Sequence, residues 1–336
     1  MSKLEPVRHK PVYFTHIWGG TLLRDQLAKD SVADNTGEAW EISTHKKGSS
    51  IVRDRHGNDI AFDLWLEEFG EEFFADNTKV FPLLIKFIGP KDKLSVQVHP
   101  TNDYALADTG EKGKPEAWYI IDAPKDAYII YGTKGTKADF VSAIETGDYS
   151  KVLKRTPVKQ GDVVNIPAGM VHALMPDVVI CEVQASSDTT YRVYDWDRLD
   201  KATGQPRELH IDKALDVIDF EIDTTKGEGA PIYCPGGERK VYIVNKTLTF
   251  ETIEVDGEYN DFGPEGFSTY TCVNGHAHVG DCFDIRRGQS FVVPAGIKDL
   301  LIFGNAKFIK ASNPTVDKMK EFLLKHNVDT SKIDFR

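Results

Sequence analysis

Four side chains, spread along the chain, have the types and local settings that a metal ion requires. The first two lie in Leu94-Ser-Val-Gln97-Val-His99-Pro100. Val96 and Val98 alternate with Gln97 and His99, so an extended segment turns the two polar residues toward one cavity and packs the valines on its other face. Pro100 lacks an amide donor and ends that strand. A polar loop leads to Lys114-Pro115-Glu116, which opens the apolar run AWYII. The fourth candidate closes Gly161-Asp-Val-Val-Asn-Ile-Pro167-Ala-Gly169-Met-Val-His172. Imidazole nitrogen, carboxylate oxygen and, less often, an amide oxygen suit a divalent cation of intermediate softness. Gln97, His99, Glu116 and His172 are therefore candidate ligands. One carboxylate against a dication leaves a positive centre, which favours an anionic, hydroxyl-bearing ligand.

The elements that must hold these residues are mostly short strands. Val80 to Ile88 reads as a buried strand carrying one lysine, Lys86, which needs a carboxylate or a ligand because an unpaired buried ammonium is costly. Trp118 to Ile121, Ala127 to Tyr131, Val163 to Ile166 and Val178 to Val183 also read as strands. Asp63 to Phe74, Asn102 to Ala107, Lys137 to Thr146 and Val316 to Lys325 read as helices, with Gly147 ending the third. Asp195 to Asp223 is mixed and polar. Arg239 to Phe250, Ser268 to Val273, Ala277 to Ile285 and Ser290 to Val293 return as strands, with Asn274-Gly275 as a hairpin turn. The frame Gly161-x5-Pro167-Ala-Gly-x2-His172 recurs as Gly288-x5-Pro294-Ala-Gly-x2-Asp299 with identical intervals. Such recurrence indicates two copies of one supersecondary unit, the second with aspartate in place of the ligand histidine.

The frame resembles the second signature of the cupin β-barrels. The combination of Gln97-x-His99-Pro100, Lys114-Pro-Glu116 and Pro167-Ala-Gly-x2-His172 resembles the type I phosphomannose isomerases in their shorter bacterial form, over nearly the whole chain. The resemblance implies a mainly β double cupin with a few short helices: an N-terminal catalytic cupin unit over 1–230, with an N-terminal extension and helical insertions, and a metal-free C-terminal cupin unit over 231–336. It implies zinc as the cofactor, one per chain, with iron or manganese as lesser candidates for the same ligand set. The implied reaction interconverts mannose 6-phosphate and fructose 6-phosphate through an enediol. A non-catalytic sugar-phosphate-binding bicupin and a cupin metalloenzyme of different chemistry are the alternatives.

Further residues take roles from the same resemblance. Ser186-Ser-Asp188-x3-Arg192 matches the segment bordering the family's active site, which makes Arg192 catalytic and places Asp188 beside it. Arg198 stands where relatives place a phosphate-binding cation, and a guanidinium fork suits phosphate oxygens. On composition alone these are surface-paired charges. Ser95, two residues before Gln97, faces the same cavity and is a candidate phosphate donor. Lys114, two before Glu116, becomes a site cation and, with Arg192, a catalytic residue. Lys114, a carboxylate and a metal-bound water are all open as the group that carries the proton. His276 and His278 read as solvent-facing. Gly19-Gly20, with no helix read behind it, is not a phosphate cradle.

With 336 residues, 40% hydrophobic and 28% charged, the chain can bury two cores. A net charge of −11 argues against nucleic acid. No apolar run reaches the length of a membrane span and no secretory leader is evident. The four cysteines lack C-x-x-C spacing, and reduced thiols in the cytoplasm are the simplest reading. A small phosphorylated sugar is the expected partner, bound by a monomer or a homodimer.

Overall fold

The computed structural model describes residues 4–30, 33–53, 56–75, 78, 80–200, 203–224, 226–297 and 299–336. The protein is mainly β, in two cupin-type units. The first is a sandwich of two antiparallel sheets. Six strands run in the spatial order Val163–Ile166, Glu116–Asp122, Val179–Ala185, Leu83–Ile88, Thr36–Ile42, Val12–Gly20. Five run in the order Leu153–Pro157, Tyr128–Thr133, His172–Ala173, Val96–Val98, Tyr191–Tyr194. Alternation along Val96–Val98 works as the sequence suggests. Val96 and Val98 pack outward with Phe140 and Ala143 of the Lys137–Thr146 helix and Ala214 of the Ile211–Val217 helix. Leu83, Ile85 and Phe87 pack outward with Phe62, Trp65, Phe69 and Phe73 of the Phe62–Phe74 helix. With both outer faces covered, the polar residues between these apolar ones are left to line the space between the sheets.

The second unit is built on a ten-stranded sheet. Its long strands, Thr249–Asp261, Leu300–Ser312 and Ser268–Val279, lie side by side. Past Ser290–Val293 the sheet continues into Val7–Lys10, Ile51–Arg53 and Asp59–Ala61, so N-terminal strands complete the C-terminal unit. No helix among the described residues is long and apolar enough to cross a membrane.

Three local expectations change. The buried strand starts at Leu83, because Val80 is exposed and Pro82 precedes the ladder. Asn274-Gly275 is not a hairpin turn. It lies inside the continuous Ser268–Val279 strand, where the register shifts by a bulge between Cys272 and Asn274. Gly275 sits there at φ 73°, and a Cβ on it would lie 2.1 Å from Asn305 O, so only glycine fits the close pairing. His276 and His278, on the same strand, are exposed, with His278 Nδ1 2.8 Å from Asp284. A six-residue helix, Leu22–Leu27, does follow Gly19-Gly20.

The recurrence in sequence has a counterpart in the ladders. Across the six-stranded sheet, Val164, Trp118, Glu182, Lys86 and Trp40 stand opposite one another in turn. In the second unit the matching row is Phe291, Tyr270, Lys310, Glu251 and Val241. The buried pair Glu182/Lys86 is thus mirrored by Lys310/Glu251 with the charges exchanged. Lys310 pairs with Asp261 at 2.5 Å and Arg239 with Glu251, closing an ionic cluster inside the second unit. Asp299, which replaces His172 in the second frame, is exposed.

His9, in the strand that joins the two units, supplies a pH test of the fold. Its ring is buried, edge-on to Phe62, with Nδ1 2.9 Å from Ser50 Oγ and Nε2 without a hydrogen-bond partner. Burial lowers its pKa to about 3. The unfolded chain takes up this proton near pH 6.5 and the folded chain does not, so stability is lost as pH falls below 6.5, by about 1.4 kcal/mol per pH unit. Urea unfolding between pH 7.5 and 5 should show this slope in the native protein and a slope shallower by one proton in His9→Gln. Parallel curves would show that His9 is not buried neutral.

Candidate metal centre

His99, Glu116 and His172 come together from three different strands or strand ends. His99 follows Val96–Val98, Glu116 opens Glu116–Asp122 and His172 opens His172–Ala173. All three are buried, and one ligand atom from each lies within 4.8 Å of the others. His99 Nε2 is 3.1 Å from Glu116 Oε1, and His172 Nε2 is 3.7 Å from Glu116 Oε2. Despite these short separations, His99 Nε2, His172 Nε2 and Glu116 Oε1 make no hydrogen bond. Their other sides are tied down: His99 Nδ1 lies 3.0 Å from Thr189 O and His172 Nδ1 2.9 Å from Met170 O. A carbonyl accepts only from N–H, so each Nδ1 carries the proton and each Nε2 presents its lone pair to the common centre. Burying two imidazole lone pairs unsatisfied against a carboxylate is costly unless a cation joins them. The spread of up to 4.8 Å among one atom from each residue lets the three side chains converge on one cation with bonds of about 2.0–2.2 Å. The residues fit a divalent metal ion.

The Gly-Pro-Gly frame positions the last ligand. Gly169 has φ 87°, donates its N–H to His99 O at 2.9 Å, and leaves a Cβ no more than 3.1 Å from Val217 O and Asp219 Cβ. Met170 N–H donates to Pro167 O at 3.2 Å, which turns Met170 O toward the His172 ring. The backbone therefore couples the His99 and His172 segments directly.

Gln97 stands opposite both His172 and Arg192 in the five-stranded ladder. Directly paired residues share a face, so all three look into the same space. Ser95 is buried just before that strand. Lys114 Nζ is 3.0 Å from Glu116 Oε1. Burial opposes the Lys114 charge, but Glu116, Glu182 and Asp188 outweigh it and hold the ammonium above the usual lysine range. Burial would raise the Glu116 carboxyl, but the Lys114 ammonium above all holds it well below the carboxylate range. Arg192 Nη1 donates to Glu208 O at 2.7 Å, while its buried Nε has no partner. Asp188 pairs with Lys47 and accepts no bond from Arg192 or Arg198. Arg198 instead grips Asp195 at 2.6 Å and Asp92 at 3.2 Å.

The sequence reading missed Glu182, Glu38, Trp118 and Trp40. Lys86 lies 3.4 Å from Glu182 and 3.6 Å from Glu38, with its Nζ 5.1 Å from the centre of the Trp40 ring. Trp118 Nε1 donates to Glu182 at 2.7 Å and to Glu116 at 3.2 Å, linking this network to the ligand cluster. Burial and then the Glu116 charge push the Glu182 carboxyl up to about 7, against Lys86 and Lys114. The signal for Glu182 was available. It interrupts the apolar run Val-Ile-Cys-Glu-Val much as Lys86 interrupts its own, and it stands opposite Lys86 in the ladder.

Comparison with known proteins agrees with this geometry. The family model described as the phosphomannose isomerase type I catalytic domain matches residues 7–121. A Bacillus subtilis protein named as a putative mannose-6-phosphate isomerase is 35% identical over 317 residues, covering 90% of this chain and 98% of its own length. The mannose-6-phosphate isomerase of Streptococcus mutans is 35% identical over 309 residues, covering 91% and 97%. The crystal structure of mannose 6-phosphate isomerase from Bacillus subtilis superposes with a TM-score of 0.86 at 34% identity, over 92% of this chain and 99% of that one. An Archaeoglobus fulgidus structure at 19% identity, TM-score 0.73, extends the likeness of fold over 93% and 99%. With relatives this similar along almost their entire length, the chain belongs to the type I phosphomannose isomerase family.

Proposed function

We propose that the protein is a metal-dependent aldose–ketose isomerase interconverting mannose 6-phosphate and fructose 6-phosphate through an enediol. The observation that carries this reading is the buried trio of ligand atoms left without hydrogen bonds, set beside a cationic lysine. Gln97, His99, Glu116 and His172 would hold zinc. Bound there, the ion supplies Lewis acidity toward substrate oxygens. Lys86 and Lys114 stand against Glu38, Glu116 and Glu182, and a dication adds two positive charges to this balance, which suits an anionic substrate.

The chain's own groups divide the remaining work. Lys114 stays protonated at neutral pH, so it serves as a fixed positive charge for an enediolate oxygen and not as the base. Arg192, on the same face as Gln97, offers an unpaired guanidinium edge to the same developing charge. Glu182, linked to Glu116 through Trp118 and 3.4 Å from Lys86, is the carboxyl placed to hold and return a proton. Ser95 lies two residues, about 7 Å, along the strand from Gln97, a span that matches the reach from the reacting carbons of a hexose to its 6-phosphate. Ser95 and Arg198 would bind that phosphate, with Asp188 lining the approach. The catalytic unit is 1–230, and 231–336 forms the second unit, completed by the N-terminal strands. All four cysteines are free, which fits a reducing compartment such as the cytoplasm.

A coupled assay on mannose 6-phosphate tests the reading. Removing metal by chelation should lower turnover by at least about 100-fold, and adding zinc back should restore it. Undiminished turnover in verified metal-free protein, or no isomerisation by the metal-loaded protein, defeats it.

A further inference from the structure

We propose that Arg207 is an additional phosphate-binding residue of the substrate site, held with Arg198 on the carboxylate of Asp195. This rests on the reading of the substrate as a phosphorylated sugar.

Tyr194 pairs with Val96, so the next residue, Asp195, comes level with Ser95 at the end of the cavity away from His99. Asp195 is buried, and it receives two guanidinium groups. Arg207 grips it with both arms of its fork, Nε to Oδ2 at 2.8 Å and Nη2 to Oδ1 at 2.6 Å. Arg198 Nη2 reaches the same Oδ1 at 2.6 Å, and its Nη1 meets the half-exposed Asp92 at 3.2 Å. Described residues 199–200 and 204–206 pair with one another between the two arginines. Leu199 bridges to Pro206, Asp200 N–H donates to Gln205 O at 2.8 Å, and Gly204 N–H to Asp200 O at 2.7 Å. This pairing places Arg207 alongside Arg198.

One buried carboxylate is satisfied by one bidentate arginine. Here a second guanidinium shares Asp195, and a third, Arg192, lies near enough for Arg207 and Arg198 to add to burial in lowering its pKa. Three guanidinium groups, Arg192, Arg198 and Arg207, gather at the buried carboxylate of Asp195, and the other carboxylates near them, Asp92 and Glu208, are half-exposed and exposed. Donors are left over as well: Arg207 Nη1 has no hydrogen-bond partner among the described residues, and neither does the buried Arg192 Nε. Like charges gathered with donors to spare favour an added anion. A phosphate presents several acceptor oxygens, enough for Arg198 and Arg207 together. Asp195 acts as a positioning residue, fixing both forks in one orientation.

The experiment measures kcat and KM for mannose 6-phosphate, and competitive inhibition by inorganic phosphate, in the zinc-loaded native protein and in Arg207→Gln, Arg207→Lys, Arg198→Gln and the Arg198→Gln/Arg207→Gln double variant. Arg207→Gln should lower kcat/KM by about 10- to 100-fold, chiefly through KM, and weaken phosphate inhibition by a similar factor. Arg207→Lys should recover part of this, since it keeps the charge without the fork, and it carries the test if Arg207→Gln does not fold. The double variant should bind phosphate more weakly than Arg198→Gln alone. Unchanged phosphate inhibition in Arg207→Gln overturns the proposal. So does a double variant no worse than Arg198→Gln, because Arg207 would then serve only to hold Asp195 for Arg198. If the native protein fails to isomerise mannose 6-phosphate, calorimetric titration with inorganic phosphate replaces inhibition: weaker binding in Arg207→Gln than in the native protein would overturn the functional reading and leave this one standing, and equal binding would overturn both.

Discussion

His172→Ala should abolish metal binding and turnover together. The imidazole is fully buried, its Nδ1–H is committed to Met170 O, and its Nε2 has no partner but the centre shared with His99 and Glu116. Alanine offers no donor atom, and no other described His, Cys, Asp or Glu stands within the cluster to replace it. Removing a group that only orients a ligand lowers metal affinity by 10–100-fold, so loss of a ligand itself should exceed about 100-fold. Turnover should fall by at least about 1,000-fold, since both the ion and the substrate oxygens it would fix are lost. Metal analysis of the purified variant, alongside the coupled assay, reads both effects. Added zinc should not restore activity at concentrations that reload the chelated native protein. Burial lowers the His172 pKa to about 3, so the ring is neutral and ready to ligate across the neutral range. A His172→Ala protein that keeps one tightly held metal per chain would remove His172 from the ligand set.

What the sequence shows well is what the chain encodes locally. The Lys137–Thr146 helix has the bounds expected because both ends are written in the sequence. Thr136 and Asp139 form a reciprocal capping box, and Gly147 leaves the helix at φ 73°. Val316–Lys325 likewise starts on a capping hydroxyl, Thr315. The Pro-x-Gly-x2-His frame is legible for the same reason: Gly169 and Pro167 act on residues within a turn of themselves. Pairing between distant strands is not written this way. Nothing near Val7–Lys10 announces that it will extend the C-terminal sheet, since its register is fixed by Ser290–Val293, far along the chain. Leu300–Ser312 carries Gly304, Asn305 and two lysines and reads weakly as a strand, yet it is central because partners on both sides satisfy its backbone. Asn274-Gly275 is the converse case. Its turn chemistry is real, but the neighbouring backbone at Asn305 absorbs the glycine as a bulge.

The ladder rows show buried charge at matching places in the two units, with the signs exchanged. Each unit must place charge in the same row of its interior, and each neutralises it differently. In the first unit Glu182 and Lys86 abut Glu116 through Trp118 and stay within reach of the ligand cluster. In the second, Lys310 and Arg239 already satisfy Glu251 and Asp261, and Tyr270 donates to Asp261 at 2.5 Å. A guanidinium and an ammonium there supply the positive charge that a metal would supply in the first unit.

Lys114→Met should lower kcat by about 100- to 1,000-fold while the protein keeps its metal, the range expected for losing one preorganised group aimed at transition-state charge. Methionine has a comparable length and no charge, so packing in the buried site changes little. In the native protein the ammonium lies 3.0 Å from Glu116 Oε1 and is held above the usual lysine range by Glu116, Glu182 and Asp188. With its folded pKa raised in the metal-free protein, this charge is present there throughout the neutral range and is lost only above it. Its removal also withdraws a cation that competes for Glu116, so metal affinity should hold or rise, opposite to the effect of His172→Ala. Stability should separate the two forms of the variant. Without metal, Glu116 and Glu182 face each other with one compensating charge fewer, and breaking a buried pair costs about 3–5 kcal/mol. With metal bound, the dication supplies the missing charge and most of that deficit should disappear. Thermal unfolding of apo and zinc-loaded Lys114→Met should therefore differ by more than the same pair of native forms. Wild-type kcat in the variant would take Lys114 out of the reaction, and loss of metal would make it part of the ion's own support.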